Sequence, residues 1–300
     1  MPLKAHSDRG RIAVAMSGGV DSSVAAALLK NEGYDVIGLT FRMWPKDECG
    51  ESVGRACCNL EAVTRARAVA GQLGIPYYVF DLSEEFRQKV IDYFCDGYLK
   101  GLTPNPCVIC NEKIKFGALL DKAASLGASS LATGHFARVS VVDGVPLLRK
   151  GLDKKRDQSY FLFSLTPGQL SRAIFPLGDI TKENCRRLAK RFGLVTYDTV
   201  SSQDICFVRD GKYAEYIRAR TGVEMREGDI VDGSGRVLGR HKGIPFYTIG
   251  QRKGLGIAYG SPLFVTAIDA ANNRIVVGPK KDVLKRSLIA GDMNWISADR

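Results

Sequence analysis

A segment rich in glycine and serine, Ser17–Ser23, has the composition of a loop that binds an anion. Its sequence is Ser-Gly-Gly-Val-Asp-Ser-Ser, and it follows a short apolar run. Two adjacent glycines allow a tight turn that brings backbone N–H groups up to a phosphate, and the serine hydroxyls add donors. A helix that begins near Ser22 would add free N–H groups and the positive end of its dipole. The segment therefore predicts a phosphate site, with an ordinary glycine-rich turn as the alternative.

Thiol chemistry is predicted at two of the eight cysteines. Two prolines within Thr103–Pro106 disfavour a helix interior, so this segment is predicted to be a loop that delivers Cys110 to the start of the next helix. A helix N-terminus lowers the pKa of a thiol and makes it a nucleophile. Cys206 lies in a polar segment, Ser201–Phe207, where the alternative is a buried thiol that acts as a small hydrophobic residue. Cys107 and Cys110 have the Cys-x-x-Cys spacing, which can also hold a metal.

The remaining cysteines and the N-terminus bear on cellular location. Cys49, Cys57 and Cys58 could suggest zinc, but their spacing fits no common zinc finger, so structural or incidental thiols are favoured. Met1–Arg11 lacks the apolar core of a secretory signal, and no apolar run approaches the roughly 20 residues of a membrane helix. The cysteines are therefore expected to be reduced, in a cytoplasmic protein without a membrane partner.

Alternating apolar and amphipathic segments predict the elements that would hold these residues. Runs typical of strands are Arg11–Met16, Asp35–Phe41, Pro76–Phe80 and Ser130–Thr133, and helical patterns cover Ser22–Lys30, Leu60–Leu73, Glu84–Lys100 and Asn111–Leu126. This alternation predicts an α/β fold with a doubly wound parallel sheet. Ligands bind at the carboxyl ends of such strands, where the expected loops are Ser17–Ser22, Phe41–Trp44 and Thr133–His135.

The character of the sequence changes after about residue 208, where glycine and proline become frequent. Short β-like runs replace helices there, at Asp229–Val231, Val237–Leu238, Phe246–Ile249, Leu263–Ile268 and Arg274–Val277. These runs predict a small β-rich domain over residues 209–280, after an α/β domain over residues 1–208. Another strand-like stretch, Ser287–Ile289, falls in a third segment, residues 281–300.

The charge of the chain suggests a polyanionic partner. Lysine and arginine number 43 against 32 aspartates and glutamates, which gives a net charge of +11 and a pI near 9.3. Each phosphate that a cation neutralises releases counterions, so a nucleic acid would use this excess. A basic surface that serves only solubility is the alternative.

The anion loop and the cysteine segments resemble known families. Ser17–Ser23 lacks the Gly-Lys-Ser/Thr of the kinase and GTPase P-loop, and it resembles the PP-loop of the N-type ATP pyrophosphatases, an adenine-nucleotide alpha-hydrolase-like fold. Together, Thr103–Phe116 and Ser201–Phe207 resemble the tRNA-specific 2-thiouridylase family, which thiolates the wobble uridine of certain tRNAs. The resemblance begins near Arg11 and continues through Ala132–His135, Leu148–Asp153, Arg156–Phe161, Leu177-Gly178 and Thr248–Gly256.

The resemblance implies roles for individual residues. It implies ATP contacts at Ala15, Met16, Ser17, Gly18, Gly19, Val20, Asp21, Ser22, Phe41 and Gly134, with Asp21 also holding Mg²⁺. It implies tRNA contacts at Asn105, Pro106, Cys107, His135, Arg156, Asp157 and Gln158. It makes Cys110 the nucleophile and Cys206 the cysteine that carries the persulfide sulfur. Without the resemblance, Arg156–Gln158 would equally fit a solvated charged turn and His135 a structural histidine.

The implied reaction is chemically coherent. The C2 carbonyl of uracil is a poor electrophile, and ATP would convert its oxygen into an adenylate, so that AMP becomes the leaving group. Sulfur would arrive as a persulfide from a cysteine desulfurase or a relay protein. A second thiolate can attack the inner sulfur, release the outer one and form a disulfide.

The chain departs from the family pattern in two places. Many members carry aspartate where this chain has Cys107, so Cys107, Cys110 and Cys206 could instead hold a [4Fe–4S] cluster, as in related RNA thiolases. The family usually continues into a C-terminal β-barrel, so residues 281–300 would be only the start of that third domain.

Two other classes of protein fit the sequence less well. A small-molecule amide synthetase of the same superfamily would need a glutaminase or an amino-acid site, and neither leaves a trace in the sequence. A non-catalytic RNA-binding or metal-binding module would explain the charge and the cysteine pair but would leave Ser17–Ser23 without a role.

Overall fold

The computed structural model describes residues 10–43, 60–199, 204–208 and 211–296. The chain divides into two compact units: unit 1 is Met1–Lys89, Cys107–Cys206 and Asn294–Arg300, and unit 2 is Val90–Pro106 and Phe207–Met293. None of the described helices combines the length and the apolar character needed to span a bilayer. The boundaries predicted at residues 208 and 280 stay predictions.

The described residues contain eleven strands, ten α-helices and four shorter or wider helical segments. The strands are β1 (Arg11–Ala15), β2 (Asp35–Arg42), β3 (Tyr77–Asp81), β4 (Ser130–Ala132), β5 (Ala137–Val142), β6 (Val145–Lys150), β7 (Ala173–Ile174), β8 (Gly228–Val231), β9 (Val237–His241), β10 (Phe264–Asp269) and β11 (Arg274–Gly278). The α-helices are α1 (Val20–Asn31), α2 (Leu60–Leu73), α3 (Ser83–Phe86), α4 (Asp92–Leu99), α5 (Pro106–Ile109), α6 (Leu120–Ser125), α7 (Pro167–Ser171), α8 (Lys182–Arg191), α9 (Tyr213–Thr221) and α10 (Lys280–Val283). The π-helical segments are Arg87–Ile91 and Cys110–Leu119, and the 3₁₀ segments are Ser159–Leu162 and Ile244–Phe246.

Unit 1 is built on a parallel sheet with the strand order β3-β2-β1-β4-β7. Ile12 of β1 pairs with Val36 of β2 on one side and with Ser130 of β4 on the other. The chain therefore reverses its direction of travel across the sheet between β1 and β4. Such a reversal opens a crevice at the carboxyl ends of the two strands, where ligands bind in α/β sheets. The predicted doubly wound α/β fold is confirmed.

Helix α1 packs closely on this sheet because the side chains that it buries are small. Ala25, Ala26 and Ala27 are buried in one apolar cluster with Val14 of β1. Leu29 is fully buried in the same cluster, and burial of a leucine side chain stabilises a fold by about 1.5–3 kcal/mol. Helix α1 is thereby fixed against the sheet that contains β1.

A hairpin of β5 and β6 stands apart from the parallel sheet. Its turn is Asp143-Gly144, with φ of +49° and +80° at the two residues. Positive φ at both central residues is the geometry that matches the twist of a two-residue hairpin, and Asp-Gly is a preferred sequence for it. The sequence analysis did not predict this hairpin, although the dipeptide was available as a signal. The hairpin leads directly into Gly151 and the turn that follows it.

Cys110 lies inside a helix rather than at its start, because the helix begins earlier than predicted, at Pro106; the residues before it, Thr103–Asn105, are a loop as predicted. The helical run begins at Pro106 with α5 and continues through the π-helical segment Cys110–Leu119. Proline is tolerated at the first helical residue because the N–H that it lacks has no intrahelical partner there. Inside the π-helical segment, Gly117 has non-helical torsions of φ −104° and ψ −105°. This kink separates the turn that carries Cys110 from α6.

Unit 2 is the predicted β-rich part, with a sheet of order β10-β11-β8-β9. Its core holds Ile230, Val265 and Ile275, all fully buried. Phe246–Ile249 is not a strand, since it overlaps the 3₁₀ segment in which Pro245 cannot donate a ladder hydrogen bond. Ser287–Ile289 is not a strand either, because its apolar side chains are exposed and gain nothing from a sheet face.

Aromatic side chains explain why Val90–Pro106 belongs to unit 2. Phe94 of α4 lies edge-on to Phe207, with ring centroids 5.2 Å apart, and Tyr98 stacks on Tyr213 of α9 at 6.1 Å. Such long-range packing is not visible in the helical periodicity of residues 84–100.

Candidate active site

The loop Ser17–Ser22 leaves β1 and enters α1 with the geometry of an anion cradle. Gly18 has a φ of +70°, and a Cβ atom there would lie 2.3 Å from the backbone oxygen of Ala62, so only glycine fits. The N–H of Ser17 donates to Ser22 Oγ at 3.1 Å, and Ser23 Oγ donates to the Gly19 carbonyl at 2.8 Å. Gly19, the N-cap of α1, has no side chain to accept from the first-turn N–H groups. That turn can therefore present donors to a phosphate.

Asp21 in this first turn is paired with a lysine that the sequence analysis missed. Lys182 Nζ lies 2.5 Å from Asp21 Oδ1, and only 12% of the lysine side chain is exposed. Cys185 Sγ lies 3.4 Å from the same oxygen. Burial, reinforced by the charge of Asp21, raises the pKa of the Cys185 thiol, which therefore stays protonated and donates to the carboxylate.

The first turn of α8 holds Lys182 in place. Thr181 caps this helix, and its hydroxyl accepts from the N–H of Asn184 at 3.2 Å. The backbone N–H of Lys182 itself donates to Asp153 Oδ2 at 2.9 Å. A lysine at a helix N-terminus opposes the helix dipole, and this mismatch is the signal in the sequence that could have marked Lys182.

Gly134 brings the loop after β4 against the anion cradle. A Cβ atom at Gly134 would lie 2.7 Å from the backbone C of Asp21 and from the N of Ser22. The ATP residues predicted in Ser17–Ser22 and at Gly134 are therefore adjacent. Met16 precedes the cradle, and its carbonyl accepts from Thr40 Oγ1 at 2.6 Å, next to Phe41 at the end of β2. Trp44, at the end of the predicted loop Phe41–Trp44, lies outside the described residues.

His135 is buried and neutral. Its Nδ1 is hydrogen-bonded to Thr133 Oγ1 at 2.7 Å, and its ring lies edge-on to Phe175. Burial, and after it the positive charge of Lys115, lowers the pKa of His135 well below its usual value. A neutral histidine can donate a hydrogen bond to a base or accept one from it, but it cannot form an ion pair with a phosphate.

The segment Arg156–Gln158 lies beside the cradle in a cavity of about 220 Å³, which Asp21 and Lys182 also line. Arg156 is exposed. Asp157 Oδ1 accepts from the N–H of Gly151 at 2.8 Å, and Gln158 Oε1 accepts from the N–H of Phe136 at 3.0 Å. These side chains therefore hold the turn in shape.

Asp157 remains charged in this turn. Burial alone would raise the pKa of Asp157, but hydrogen bonds from Gly151 and Ser159 outweigh it and lower the pKa. Three cations, Lys155, Arg156 and Lys182, face this cavity together with two carboxylates, Asp21 and Asp157. The excess of positive charge suits a polyphosphate.

The predicted cysteines are all half-buried thiols in unit 1. Cys206 Sγ lies 3.7 Å from the sulfur of Met43, which is two residues beyond Phe41. Cys107 and Cys110 lie in the helical run that starts at Pro106, directly after Asn105.

The iron–sulfur alternative finds no support. Within residues 10–43, 60–199, 204–208 and 211–296, no group of three or more His, Cys, Asp or Glu side chains is placed to hold a metal. Cys107, Cys110 and Cys206 all lie in these ranges, so they do not form the three-ligand cluster site. Cys49, Cys57, Cys58 and Ser201–Gln203 fall outside them.

Two family profiles match the chain in succession. The family described as tRNA methyl transferase HUP domain matches residues 10–210, and the family described as tRNA methyl transferase PRC-barrel domain matches residues 215–279. Together they cover most of both units.

Full-length relatives extend this similarity. A protein named tRNA-specific 2-thiouridylase MnmA from Moorella thermoacetica is 52% identical over 285 residues, which cover 94% of this chain and 80% of the relative. Proteins of the same name from Carboxydothermus hydrogenoformans and Clostridioides difficile are 50% and 49% identical, over 97% and 96% of this chain and 80% of each relative. With about half of its residues shared over nearly its whole length, the chain belongs to the tRNA-specific 2-thiouridylase family.

Proposed function

We propose that this protein is an ATP-dependent tRNA sulfurtransferase that replaces the C2 oxygen of the wobble uridine with sulfur. The observation that carries the proposal is the identity of about half the residues with relatives named tRNA-specific 2-thiouridylase. The anion cradle at the switch between β1 and β4 supports it, because adenylation needs a site that holds a polyphosphate. Since the substrate is tRNA, we infer that the enzyme acts in the cytoplasm.

ATP would lie with its phosphates on the Ser17–Ser22 loop. The N–H groups of the first turn of α1 and the Lys182 ammonium would hold the β and γ phosphates, and Phe41 and Gly134 would border the nucleotide. The donor set fits Mg²⁺, which is commonly held by one or two carboxylates together with substrate phosphates, and Asp21 is such a carboxylate. When bound, Mg²⁺ would neutralise charge that develops on the departing pyrophosphate.

Activation and sulfur transfer would then use separate groups. The uracil C2 oxygen attacks the α-phosphorus of ATP, and pyrophosphate leaves. Cys206 carries an outer sulfur atom as a persulfide, supplied by a cysteine desulfurase or a relay protein. The Cys110 thiolate attacks the inner sulfur, a Cys110–Cys206 disulfide forms, and the outer sulfur leaves as hydrosulfide. Hydrosulfide attacks C2 and displaces AMP, and an external dithiol reduces the disulfide for the next turnover.

Contacts to tRNA are assigned to two groups of residues. Asn105, Pro106, Cys107 and His135 would face the target base, and Arg156 would contact the phosphate backbone. Because Asp157 and Gln158 already bond to Gly151 and Phe136, their role toward tRNA would be to fix the turn that presents Arg156.

The test of this function is a reconstituted thiolation. Purified protein, ATP, Mg²⁺, a cysteine desulfurase with free cysteine, and a tRNA transcript with uridine at the wobble position should yield AMP, pyrophosphate and 2-thiouridine. The thiolated base is detected by its retarded migration on a mercury-containing gel. A transcript with cytidine at the wobble position is the control. Absence of thiouridine, with ATP left intact, would overturn the proposal.

Cys110→Ser and Cys206→Ser should each abolish thiouridine, because serine cannot hold a persulfide and is a far weaker nucleophile at neutral pH. Both variants should still release pyrophosphate in the presence of tRNA, since adenylation does not use a thiol. AMP should stay bonded to the tRNA, because no hydrosulfide displaces it. Cys95→Ser is a matched control, because burial raises the pKa of Cys95 to about 11 and keeps it unreactive. Substantial thiolation by either active-site variant would remove that cysteine from the mechanism.

The proposed sulfur transfer uses no metal at the cysteines, so Cys107 is not needed as a metal ligand. Cys107→Asp introduces the carboxylate that many family members carry, and we expect it to keep or increase thiolation. The measurement is thiouridine yield together with iron content after purification in air. Loss of activity together with loss of bound iron would contradict this.

A further inference from the structure

Two exposed aromatic rings follow the Arg156–Gln158 turn in the chain and have no role in the proposed reaction. Tyr160 is 65% exposed and Phe163 is 50% exposed, and their ring centroids are 5.9 Å apart with a 45° angle between the planes. Phe161 lies edge-on to Tyr160 at 5.7 Å and so limits the movement of that ring. All three belong to unit 1 and lie in or directly after the 3₁₀ segment Ser159–Leu162.

The charge next to these rings is positive toward solvent. Lys154, Lys155 and Arg156 are exposed. The two acidic residues of the same turn bond within the protein. Asp153 accepts the backbone N–H groups of Lys155 and Lys182, and Asp157 accepts those of Gly151 and Ser159. The turn therefore offers cations and aromatic faces to a ligand, the combination that binds unpaired nucleotides.

The backbone under the rings is anchored, and one anchor leads to the nucleophile. Asn111, the neighbour of Cys110, is buried; its side chain donates to the Phe161 carbonyl at 2.8 Å and accepts from Lys115 Nζ at 2.8 Å. Asn294 donates to the Phe163 carbonyl at 2.9 Å. The backbone that carries the rings is thus anchored, and the side chain of Asn111, the residue that follows Cys110, bonds directly to it.

We propose that Tyr160 and Phe163 form a stacking platform for the unpaired tRNA bases that flank the target uridine. The proposal rests on the proposed function, because a base can reach Cys110 only when its neighbours are unstacked from it. Aromatic side chains stack any base, so the platform orders the loop without selecting its sequence. Loss of one stacked base weakens binding by roughly tenfold.

The test compares ring removal with ring retention. Tyr160→Ala should raise the KM for tRNA about tenfold, and Tyr160→Phe should restore it, because the ring and not the hydroxyl makes the contact. Phe163→Ala should also raise the KM. Tyr197→Ala removes a tyrosine of the same unit that is 49% exposed, and it should behave as wild type. Melting temperature and ATP binding verify that each variant is folded.

A direct readout separates stacking from other causes. A tRNA with 2-aminopurine beside the wobble uridine should lose fluorescence when it binds wild-type protein, and this quenching should be absent with Tyr160→Ala. An unchanged KM and unchanged quenching in Tyr160→Ala would overturn the platform. A defect seen only with the protein sulfur donor and absent with inorganic sulfide would also overturn it, since the patch would then bind that donor. If wild type binds tRNA with quenching but forms no thiouridine, the proposed function fails and the platform stands.

Discussion

Asp21 and Lys182 form a half-buried ion pair at the mouth of the anion cradle, and the pair explains why a lysine is tolerated there. Without Asp21, Lys182 would place an uncompensated charge beside the N-terminus of α1 and within the first turn of α8. With a nucleotide bound, the phosphates can take the place of the carboxylate. In the proposed function, Lys182 would then neutralise charge on the pyrophosphate.

We expect Lys182→Ala to reduce AMP formation on the order of 100-fold, the usual cost of removing one preorganised donor from a developing charge. Lys182→Arg should recover part of this loss. Lys190→Ala, at an exposed position in the last turn of the same helix, is the matched control. The measurement is release of pyrophosphate with saturating tRNA. Equal rates for Lys182→Ala and Lys190→Ala would contradict a phosphate role.

The burial of His135 leads to a prediction about the pH dependence of stability. Burial first, and the charge of Lys115 second, lowers the pKa of His135 in the folded protein below the value of about 6.5 in the unfolded chain. The unfolded state therefore binds more protons as the pH falls below 6.5. The contribution of neutral His135 to the free energy of unfolding is therefore fully present above that pH. It is lost as the pH falls toward the folded pKa, by up to about 1.4 kcal/mol for each pH unit.

The variant His135→Asn can keep a hydrogen bond to Thr133 but cannot titrate. We expect it to be less stable than wild type at about pH 7.5 and to lose less stability on going to about pH 5.5. Urea denaturation at both pH values measures this. Parallel losses of stability in the two proteins would show that His135 is not a source of the pH dependence.

At the scale of elements, the close approach of the loop after β4 to the first turn of α1 decides the shape of the nucleotide site. Gly134→Ala would put a methyl group 2.7 Å from the backbone of Asp21 and Ser22. One of the two segments must then move, although each follows a strand, β1 or β4, that is paired with the other. We expect ATP affinity to fall at least tenfold, because overpacking costs about 1.4 kcal/mol or more.

Gly71→Ala is the control for this substitution. Gly71 lies inside α2, and a Cβ atom there would meet nothing within 4 Å. Alanine should stabilise this helix by about 0.5–1 kcal/mol without affecting ATP binding. Isothermal titration with a non-hydrolysable ATP analogue gives both affinities. An unaffected affinity in Gly134→Ala would mean that the cradle tolerates displacement.

The elements differ in how well they could be predicted from the sequence. The cradle was predictable because strand, loop and helix signals follow one another within Arg11–Lys30. Lys182 was not, because 161 residues separate it from Asp21 and only the tertiary fold brings them together. The helix that begins at Pro106 was predicted to begin later, because proline disrupts a helix interior but is tolerated at the first helical residue. The exposed Ser287–Ile289 was taken for a strand because its local pattern carries no information on burial.

At the scale of the whole molecule, the net charge of +11 predicts the behaviour toward tRNA. Affinity should fall by about 10³-fold or more between roughly 50 and 200 mM salt if six or more phosphates are contacted. Arg156→Glu should weaken binding further and reduce the slope of affinity against salt. Filter binding across a salt series measures both effects.

Arg191→Glu serves as the control for the charge reversal. Arg191 is exposed at the end of α8, and its reversal changes the net charge by the same amount. If both reversals weaken binding equally, the long-range field of the protein attracts tRNA and Arg156 makes no particular contact.

The carboxylate of Asp153 has a consequence for the order of events on the enzyme. One of its oxygens accepts the N–H of Lys155, in the cationic turn, and the other accepts the N–H of Lys182, beside the nucleotide cradle. In the proposed function, a tRNA bound at the turn would thereby also restrict the movement of the lysine that would meet the phosphates. Linkage requires the reverse with the same factor, so ATP must tighten tRNA binding as much as tRNA tightens ATP binding. Through Asp153, ATP would bind most tightly when tRNA is bound, so the enzyme would consume less ATP when no RNA is present.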